Sequence, residues 1–176
     1  MNKLDFWNER ALVGANAGTN DFIAKEIEMK TISSYIDKSS EAKYILDFGC
    51  GNGLTLIHLA KIHENYSFVG IDFSENMIKE AQKLIVKENL QDRVKLIVGN
   101  ENALDSLDTS FDYIYTERAL INLDSFNLQG ACILKLISLL KKNGKYLMCE
   151  CSLDGLKQIN DYRKVFGLDE IPPPMA

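Results

Sequence analysis

The sequence predicts an α/β domain built on a doubly wound parallel sheet. Short apolar runs alternate with segments of helical periodicity along most of the chain. One of these runs ends in a glycine cluster between Gly49 and Gly53, which leads directly into a predicted helix. A later run ends in Asp72, about 20 residues beyond the glycines, which is the spacing of a nucleotide-binding unit. Right-handed connections between such units predict the strand order 3-2-1-4-5.

Length and composition indicate a single globular domain. The chain has 176 residues, of which 46% are apolar and 26% charged, as is ordinary for a domain with a proper core. The net charge of −5 argues against a large nucleic-acid interface, which needs clustered Lys and Arg. The chain does not start with a charged segment and a sustained apolar run, and no apolar stretch approaches ~18 residues. We therefore expect a soluble, cytoplasmic protein without nucleic-acid or membrane partners.

The histidines and cysteines do not suggest a metal site. His58 and His63 lie five residues apart on one predicted helix, so they face different directions and cannot chelate a metal as an i, i+4 pair could. The cysteines lack C-x-x-C spacing, and we expect them to be reduced and packed as small apolar side chains. They are Cys50, Cys132, Cys149 and Cys151.

The first 40 residues are predicted to form a lid followed by a helix. Trp7, the only tryptophan, and Arg10 precede a stretch of small residues, a composition suited to a lid with an aromatic wall and a cation for a carboxylate. An N-terminal helix that simply packs on the sheet edge is the alternative. A helix of about 16 residues follows, with Thr19 or Asn20 as its N-cap. Its predicted apolar face consists of Phe22, Met29, Ile32 and Ile36.

The glycine cluster follows a predicted buried strand that ends near Asp47. Glycine lets the backbone curl or approach a ligand closely, and the next helix presents its positive end to that place. The carboxylate of Asp47 would repel a pyrophosphate but could receive an ammonium or hydroxyl group, so the site suits a small zwitterion. Asp72, at the end of the second strand, has the spacing of a carboxylate that takes two ribose hydroxyls.

The rest of the chain continues the alternation of helices and strands. Ser74 caps a helix that ends near Asn89, and Asp124 starts another that closes at Asn143-Gly144. A last short helix is stopped by Gly167, and the proline tail that follows can be neither helix nor central strand. The third, fourth and fifth strands are predicted at residues 94–100, 111–116 and 145–151.

Two motifs carry a family resemblance. Ile45-Leu46-Asp47-Phe48-Gly49-Cys50-Gly51-Asn52-Gly53 and Val69-Gly70-Ile71-Asp72-Phe73-Ser74 resemble the first two motifs of the class I S-adenosylmethionine-dependent methyltransferases. The resemblance covers residues 41–151 and implies a Rossmann-like fold, S-adenosylmethionine as cofactor and S-adenosylhomocysteine as product. The glycine spacing departs from the G-x-G-x-x-G dinucleotide pattern, which leaves an NAD-linked oxidoreductase or a ligand-free turn as minor alternatives.

The resemblance also implies which residues bind the cofactor. Asp47 and the glycine turn would hold its amino-acid and sugar end, Asp72 its ribose, and other residues the adenine. Asn100 stands where the family usually has an acid at the adenine edge, and a turn-forming asparagine is the alternative. The predicted contacts are Trp7, Arg10, Thr19, Asp47, Gly49, Cys50, Gly51, Asn52, Gly53, Asp72, Phe73, Met77, Asn100, Glu101, Thr116 and Arg118.

Methyl transfer needs an acceptor, and the acidic composition favours a small molecule or a sugar-like compound. Glu117 and Glu150 are candidates for taking a proton from it, although Glu117 could instead pair with Arg118 and Glu150 could face solvent at the sheet edge. Some methyltransferases have a histidine where Asn122 stands, so no obvious general base of that kind is present. A wider resemblance, including residues 117–123 and 160–163, is to bacterial members associated with surface-polysaccharide biosynthesis.

The family fold normally continues with an antiparallel β6/β7 hairpin, for which we find no matching runs. We therefore expect the fifth strand to be an exposed edge, covered by the last helix, the proline tail, a second copy or a partner chain. The hypothesis is a single truncated domain with a lid and helix (1–40), a cofactor-binding core (41–151) and a short helix with a proline-rich tail (152–176). The alternative function is a cofactor-binding protein that is inactive alone or needs a partner chain.

Overall fold

The computed structural model describes residues 2–173, and its central feature is one five-stranded sheet. The strands are β1 (Tyr44–Phe48), β2 (Ser67–Asp72), β3 (Val94–Val98), β4 (Phe111–Glu117) and β5 (Leu140–Cys149). All four neighbouring pairs are parallel, in the order β3-β2-β1-β4-β5. The predicted doubly wound, Rossmann-like architecture and its strand order are therefore confirmed.

The helices are α1 (Lys3–Ala11), α2 (Phe22–Tyr35), α3 (Leu54–Ile62), α4 (Glu75–Lys87), α5 (Phe126–Ser138) and α6 (Leu153–Val165). Those from α2 to α5 cover the two faces of the sheet. Successive strand residues point to opposite faces, so in β1 Ile45 packs with α2, α3 and α4 while Leu46 packs with α5. Both residues are fully buried, as expected for the central strand of a sheet that is covered on both sides.

Two helices begin one or two residues later than predicted. Asp21, rather than Thr19 or Asn20, caps α2 by accepting from the backbone N–H of Ala24 at 2.9 Å. The Thr19 hydroxyl instead accepts from the N–H of Asp21, which orders the preceding turn. Ser125 caps α5 in the same way, in place of Asp124. The predicted apolar face of α2 is also shorter, because Phe22 is 58% exposed whereas Ile32 and Ile36 are buried.

The boundary between α5 and β5 also differs from the prediction. The helix ends at Ser138, and Asn143 and Gly144 lie inside β5 rather than closing the helix. Asn143 has a φ of 70°, and the pairing register with β4 shifts at this point. A residue in the left-handed conformation occurs in β-bulges as well as at helix ends, so the Asn143-Gly144 pattern predicted a helix end where the structure has a bulge. Gly144 permits a close approach of backbones, because a Cβ there would lie 3.0 Å from the carbonyl oxygen of Phe111.

The fifth strand lies at one edge of the sheet, as predicted. Met148 on this strand is 59% exposed, and α6, which follows it, buries none of its residues. Pro172 and Pro173 are exposed, while residues 174–176 of the predicted proline tail lie outside the described part of the chain. A second copy or a partner chain over this edge stays a prediction. No helix between residues 2 and 173 is long and apolar enough to cross a membrane.

Arg93 ties the end of α3 to the start of β2. Its guanidinium donates to the carbonyl oxygens of Ala60 at 2.8 Å, His63 at 2.9 Å and Tyr66 at 3.2 Å. These carbonyls belong to the last turn of α3 and to the loop that follows it, where backbone groups lack partners within a helix.

We expect Arg93→Ala to lower the free energy of unfolding by about 2 kcal/mol, because three carbonyl groups lose a charged donor. Arg163→Ala is the matched control, since within residues 2–173 the side chain of Arg163 on α6 donates only to the exposed carbonyl of Asp169. Urea denaturation of both variants measures the difference. Equal losses in the two variants would contradict the role assigned to Arg93.

Candidate functional site

A cavity of about 540 Å³ opens at the carboxyl ends of the strands. It lies where the chain order reverses, since β2 and β4 run on either side of β1, and ligands of open α/β sheets bind at such points. Asp47, Asp72 and Glu117, from the ends of these three strands, line it. The candidate site is therefore a single crevice shared by β1, β2 and β4.

The glycine turn between β1 and α3 forms one wall of the cavity. Gly49, Gly51 and Gly53 all have positive φ angles, of 81°, 53° and 76°. A Cβ at Gly49 would collide with the side chain of Ala119, so this glycine allows the loop after β4 to pack closely. A Cβ at Gly51 would meet no atom within 4 Å, so this glycine leaves bare backbone beside the cavity.

Asp72 connects the end of β2 to the glycine turn. Its two carboxylate oxygens accept from the backbone N–H groups of Gly51 at 2.8 Å and Ser74 at 2.9 Å. The side chain lines the cavity although the residue is only 8% exposed. Burial raises the pKa of Asp72, and the two backbone N–H groups oppose this rise. The carboxylate is thus held in one orientation at the cavity wall.

Asp47 is more deeply buried than Asp72. It is 2% exposed, lines the cavity, and accepts a hydrogen bond of 2.7 Å from the hydroxyl of Tyr115 on β4. Burial raises the pKa of Asp47 to about 8, although the Tyr115 hydroxyl opposes the rise. At neutral pH this group is therefore largely protonated, and a cation in the cavity would draw it into the charged form.

The opposite end of the cavity is formed by residues that follow β2 and β3. Phe73 and Met77 line it, as do Asn100 and Glu101. The side-chain oxygen of Asn100 accepts from the N–H of Asn102 at 3.1 Å and so caps a short 3-10 helix, Glu101–Ser106. The side-chain oxygen of Asn100 thus stabilises a turn, as the alternative interpretation proposed, and the residue also lines the cavity.

Helix α1 crosses the cavity from α4 to the start of α5. Trp7 lines the cavity and packs against a small apolar cluster that includes Met77 of α4. The Asn8 side-chain oxygen accepts from the Ser74 hydroxyl at 2.7 Å, and the Lys3 ammonium pairs with Asp124 at 2.7 Å. The N-terminal segment therefore covers the crevice and is attached on both of its sides.

Four predicted contact residues do not line the cavity. The Arg10 guanidinium donates to the carbonyl oxygens of Asn16 and Ala17, because the loop folds back on α1. Thr19 belongs to the turn before α2. Gly53 packs against α4, where a Cβ would lie 3.1 Å from that of Ala81. Thr116 is fully buried, with its hydroxyl 3.1 Å from that of Tyr146. The remaining predicted contacts all line the cavity.

Glu117 and Arg118 line the cavity but do not pair with each other. Each instead pairs with a residue of α2: the Lys25 ammonium lies 2.8 Å from Glu117, and the Arg118 guanidinium lies 3.2 Å from Glu28. The Thr55 hydroxyl also donates to Glu117, at 2.6 Å. Burial acts to raise the pKa of Glu117, but the Lys25 charge and these hydrogen bonds leave it below its usual value.

Glu150 lies behind the cavity wall rather than in the cavity or in solvent. One carboxylate oxygen accepts from the backbone N–H groups of Ala119 and Leu120, both at 3.1 Å. Burial raises its pKa, opposed by these backbone donors. Glu150 therefore positions the loop after β4 from outside the cavity, because its carboxylate faces that loop, and its predicted role near a substrate stays a prediction.

Several residues of the site were not predicted from the sequence. On α2, Lys25 pairs with Glu117 and Glu28 pairs with Arg118. On β4, Tyr115 donates a hydrogen bond to Asp47. These partners are between 68 and 92 positions apart in the chain. The spacing of charges along α2 gave no indication of them, and only the alternation along β4 could have placed Tyr115 on a buried face.

Comparisons with known proteins agree with the fold and the motifs. A family model described as a methyltransferase domain matches residues 39–168. The ubiquinone/menaquinone biosynthesis C-methyltransferases of Rickettsia peacockii and Rickettsia typhi are 31% and 30% identical over 135 and 132 residues. Each alignment covers 73% of this chain and 52% of the relative, so the chain spans about half the length of these curated relatives.

Solved structures show the same fold. A methyltransferase from Thiobacillus denitrificans in complex with S-adenosyl-L-homocysteine has a TM-score of 0.58 and 23% identity, over 69% of this chain and 47% of that one. A putative methyltransferase from Methanococcus maripaludis has a TM-score of 0.65 and 22% identity, over 94% and 73%.

The family model covers well over half of the chain, and the fold agrees, which confirms the family predicted from the two motifs. The association with surface polysaccharides is not addressed by these relatives and stays a prediction. The chain therefore belongs to the methyltransferase domain family and has the fold of its class I S-adenosylmethionine-dependent members.

Proposed function

We propose that this domain binds S-adenosylmethionine in the cavity and transfers its methyl group to a small-molecule acceptor. One observation carries the proposal: two buried carboxylates, Asp47 and Asp72, flank the bare backbone of Gly51 in one cavity. This arrangement offers acceptors for an ammonium group and for ribose hydroxyls within a single crevice. S-adenosylmethionine carries both an ammonium group and ribose hydroxyls, and the chain belongs to the methyltransferase domain family.

The residues present fit the cofactor. Each carboxylate oxygen has two lone pairs, and those of Asp72 each receive one backbone N–H, which leaves one direction per oxygen for a ribose hydroxyl. Asp47 would take the ammonium group, whose charge favours the ionised carboxylate. Phe73 and Met77 provide apolar surface for the adenine faces, and Asn100 and Glu101 lie where its edge would be.

The reaction would be a direct displacement at the methyl carbon. The cofactor supplies an activated methyl group on a sulfonium, and the chain's part is to bind, to orient and to exclude water. Helix α1, with Trp7 over the cavity, would exclude water. Glu117 is a poor general base, since its charge is compensated by Lys25 and its pKa lies below the usual value. We therefore assign a general-base role neither to it nor to Glu150, which lies outside the cavity.

For the acceptor, our first candidate is a precursor in quinone biosynthesis. The rickettsial relatives support it by name, and Leu4, Leu123 and Leu128 give the cavity apolar surface for such a compound. A sugar-like acceptor would instead use the polar side chains that line the same cavity, among them Lys3, Asn122 and Asp124. Incubation of the chain with S-adenosylmethionine and either reduced quinone precursors or sugars, followed by mass spectrometry for a gain of one methyl group, separates the two.

A cofactor-binding domain that is inactive alone is the second candidate. It is supported by the exposed edge of β5 and by the absence of buried residues on α6, because both leave the region beside the cavity open. Formation of S-adenosylhomocysteine by the isolated chain with any acceptor would contradict this candidate.

We expect Asp72→Asn to weaken binding of S-adenosylhomocysteine at least tenfold, or about 1.4 kcal/mol. The amide loses one acceptor oxygen and the charge that the ribose hydroxyls would meet. Asp108→Asn, at an exposed position, is the matched control. Isothermal titration calorimetry measures both, and unchanged affinity in Asp72→Asn would exclude the proposed ribose contact.

Asp47→Asn should weaken ligand binding and yet stabilise the free protein at neutral pH. Burial raises the pKa of Asp47 from its ordinary value of 3.8 to about 8. The contribution of Asp47 to the stability of the folded state is therefore complete below pH 3.8, and it is lost as the pH rises through about 8. An asparagine side chain does not ionise, so its contribution does not change over this pH range. We expect the melting temperature of the variant, relative to wild type, to rise by at least ~2 °C between pH 5 and pH 8, and a constant difference would contradict this.

We expect Glu150→Ala and Glu150→Gln to differ in stability and in affinity for S-adenosylhomocysteine. The glutamine keeps an oxygen for the N–H groups of Ala119 and Leu120, so we expect stability and S-adenosylhomocysteine affinity close to wild type. The alanine leaves both N–H groups without that acceptor, and we expect about 1–3 kcal/mol less stability and weaker binding. Chemical denaturation and calorimetry measure these changes, with exposed Glu64→Ala as control. Equal effects of both substitutions would show that the oxygen accepting from Ala119 and Leu120 does not stabilise the loop after β4.

A further inference from the structure

Four charged side chains meet where α2 packs beside the end of β4. Lys25 and Glu28 belong to the helix, and Glu117 and Arg118 to the strand end. They form two ion pairs, Lys25 with Glu117 and Glu28 with Arg118, and the carboxyl groups of Glu28 and Glu117 also interact with each other. Lys25, Glu117 and Arg118 line the cavity, and the charges of Lys25 and Glu117 act on Asp47.

The two pairs differ in how well their hydrogen bonds are satisfied. Both oxygens of Glu117 accept from Lys25 at 2.8 Å, and one also accepts from Thr55. Among residues 2–173, the Arg118 guanidinium has Glu28 as its one partner, at a distance that suits an ion pair but without hydrogen-bond geometry. The Nε of Arg118 and the Oε2 of Glu28 are both buried without a hydrogen-bond partner. The guanidinium of Arg118 can donate five hydrogen bonds, and it lines the cavity without donating one to a residue in the described part of the chain.

The charge balance of this cluster favours an anion. Lys25 and Glu117 neutralise each other. Burial, together with the neighbouring Glu117, raises the pKa of Glu28 to about 7, although Arg118 and Lys25 oppose the rise. Cys149 on β5 also faces this group, with a pKa that burial raises to about 11, so the thiol is neutral. Near neutral pH, Glu28 therefore compensates the positive charge of Arg118 only in part.

The backbone of Arg118 is held in an unusual conformation. Its φ is 52°, in the left-handed region that non-glycine residues rarely adopt. Its N–H donates to the carbonyl of Cys149 at 2.9 Å, and its own carbonyl accepts from the Asn122 side chain at 2.9 Å. Such a conformation persists only where the surroundings enforce it, and it is found most often at functional sites. The start of the Arg118 side chain is thus fixed at the cavity wall.

We propose that Arg118 is the carboxylate-binding residue of this cavity and that Glu28 occupies it until a ligand carboxylate takes its place. The planar guanidinium matches a carboxylate with two parallel hydrogen bonds, which Glu28 does not provide. Arg10, the cation expected from the sequence, is engaged with loop carbonyls instead. The inference rests on the proposed function for the use of the cavity, and the carboxylate can belong to the amino-acid end of the cofactor or to the acceptor.

The test compares two ligands that differ in the amino-acid group. S-adenosylhomocysteine carries the carboxylate, whereas 5′-methylthioadenosine has the same nucleoside and thioether without it. For Arg118→Gln we expect a loss of at least tenfold in affinity for the first and less than twofold for the second, measured by calorimetry. Arg163→Gln on α6 is the matched control, since it removes a guanidinium far along the chain from the cavity residues.

A second variant tests the part assigned to Glu28. Glu28→Gln removes the competing carboxylate without changing the size of the side chain, so we expect S-adenosylhomocysteine to bind as tightly as to wild type or tighter. If the pair only stabilised the fold, both Arg118→Gln and Glu28→Gln would weaken both ligands. That outcome would overturn the proposal.

The source of the carboxylate is decided with benzoate and its neutral counterpart benzamide, each titrated into protein saturated with S-adenosylhomocysteine. Unchanged S-adenosylhomocysteine affinity in Arg118→Gln, with loss of benzoate binding, assigns the residue to the acceptor. No effect of Arg118→Gln on either ligand overturns the proposal. If wild type binds neither nucleoside but binds benzoate through Arg118 when benzoate is titrated alone, the carboxylate site stands and the proposed methyl transfer fails.

Discussion

The rest of the site depends on the hydrogen bonds that join the glycine turn to the end of β2. The carbonyl of Ile71 accepts from the N–H groups of both Gly49 and Cys50, at 2.8 and 2.9 Å, and Asp72 accepts from Gly51. These bonds fix the turn at positive φ angles that only glycine adopts without strain. They also aim the Asp72 carboxylate along the cavity wall, so one junction sets both the bare backbone and the acid beside it.

Around this junction, the acids of the crevice are kept in different states by their surroundings. Asp47, buried next to Tyr115, favours its protonated form, whereas Glu117 is ionised because Lys25 and Thr55 hold it. Glu150 faces away and positions the loop after β4. Carboxyl side chains thus serve three purposes around one site, and burial together with the nearest donor determines which.

Local patterns were sufficient for the architecture and for one half of the site. The apolar runs and the glycine cluster predicted the five strands, their order and the positions of Asp47 and Asp72. Residues whose role depends on loop conformation or on strand pairing were predicted less well. Arg10 was assigned to a ligand because it is a cation near a lid, but the chain folds back and its donors meet loop carbonyls. The Asn143-Gly144 pair suited a helix end and a bulge equally, and pairing with β4 decided for the bulge.

The sequence by itself determined the fold class, the family and the acids at the ends of β1 and β2, because these follow from short-range periodicity and from spacings within one βαβ unit. Only the tertiary structure decided which charges face each other. Lys25 reaches Glu117 and Glu28 reaches Arg118 because α2 packs beside the end of β4, a contact that joins segments about 90 positions apart. Pairing over such a distance depends on how the elements pack, and the local order of residues does not encode it.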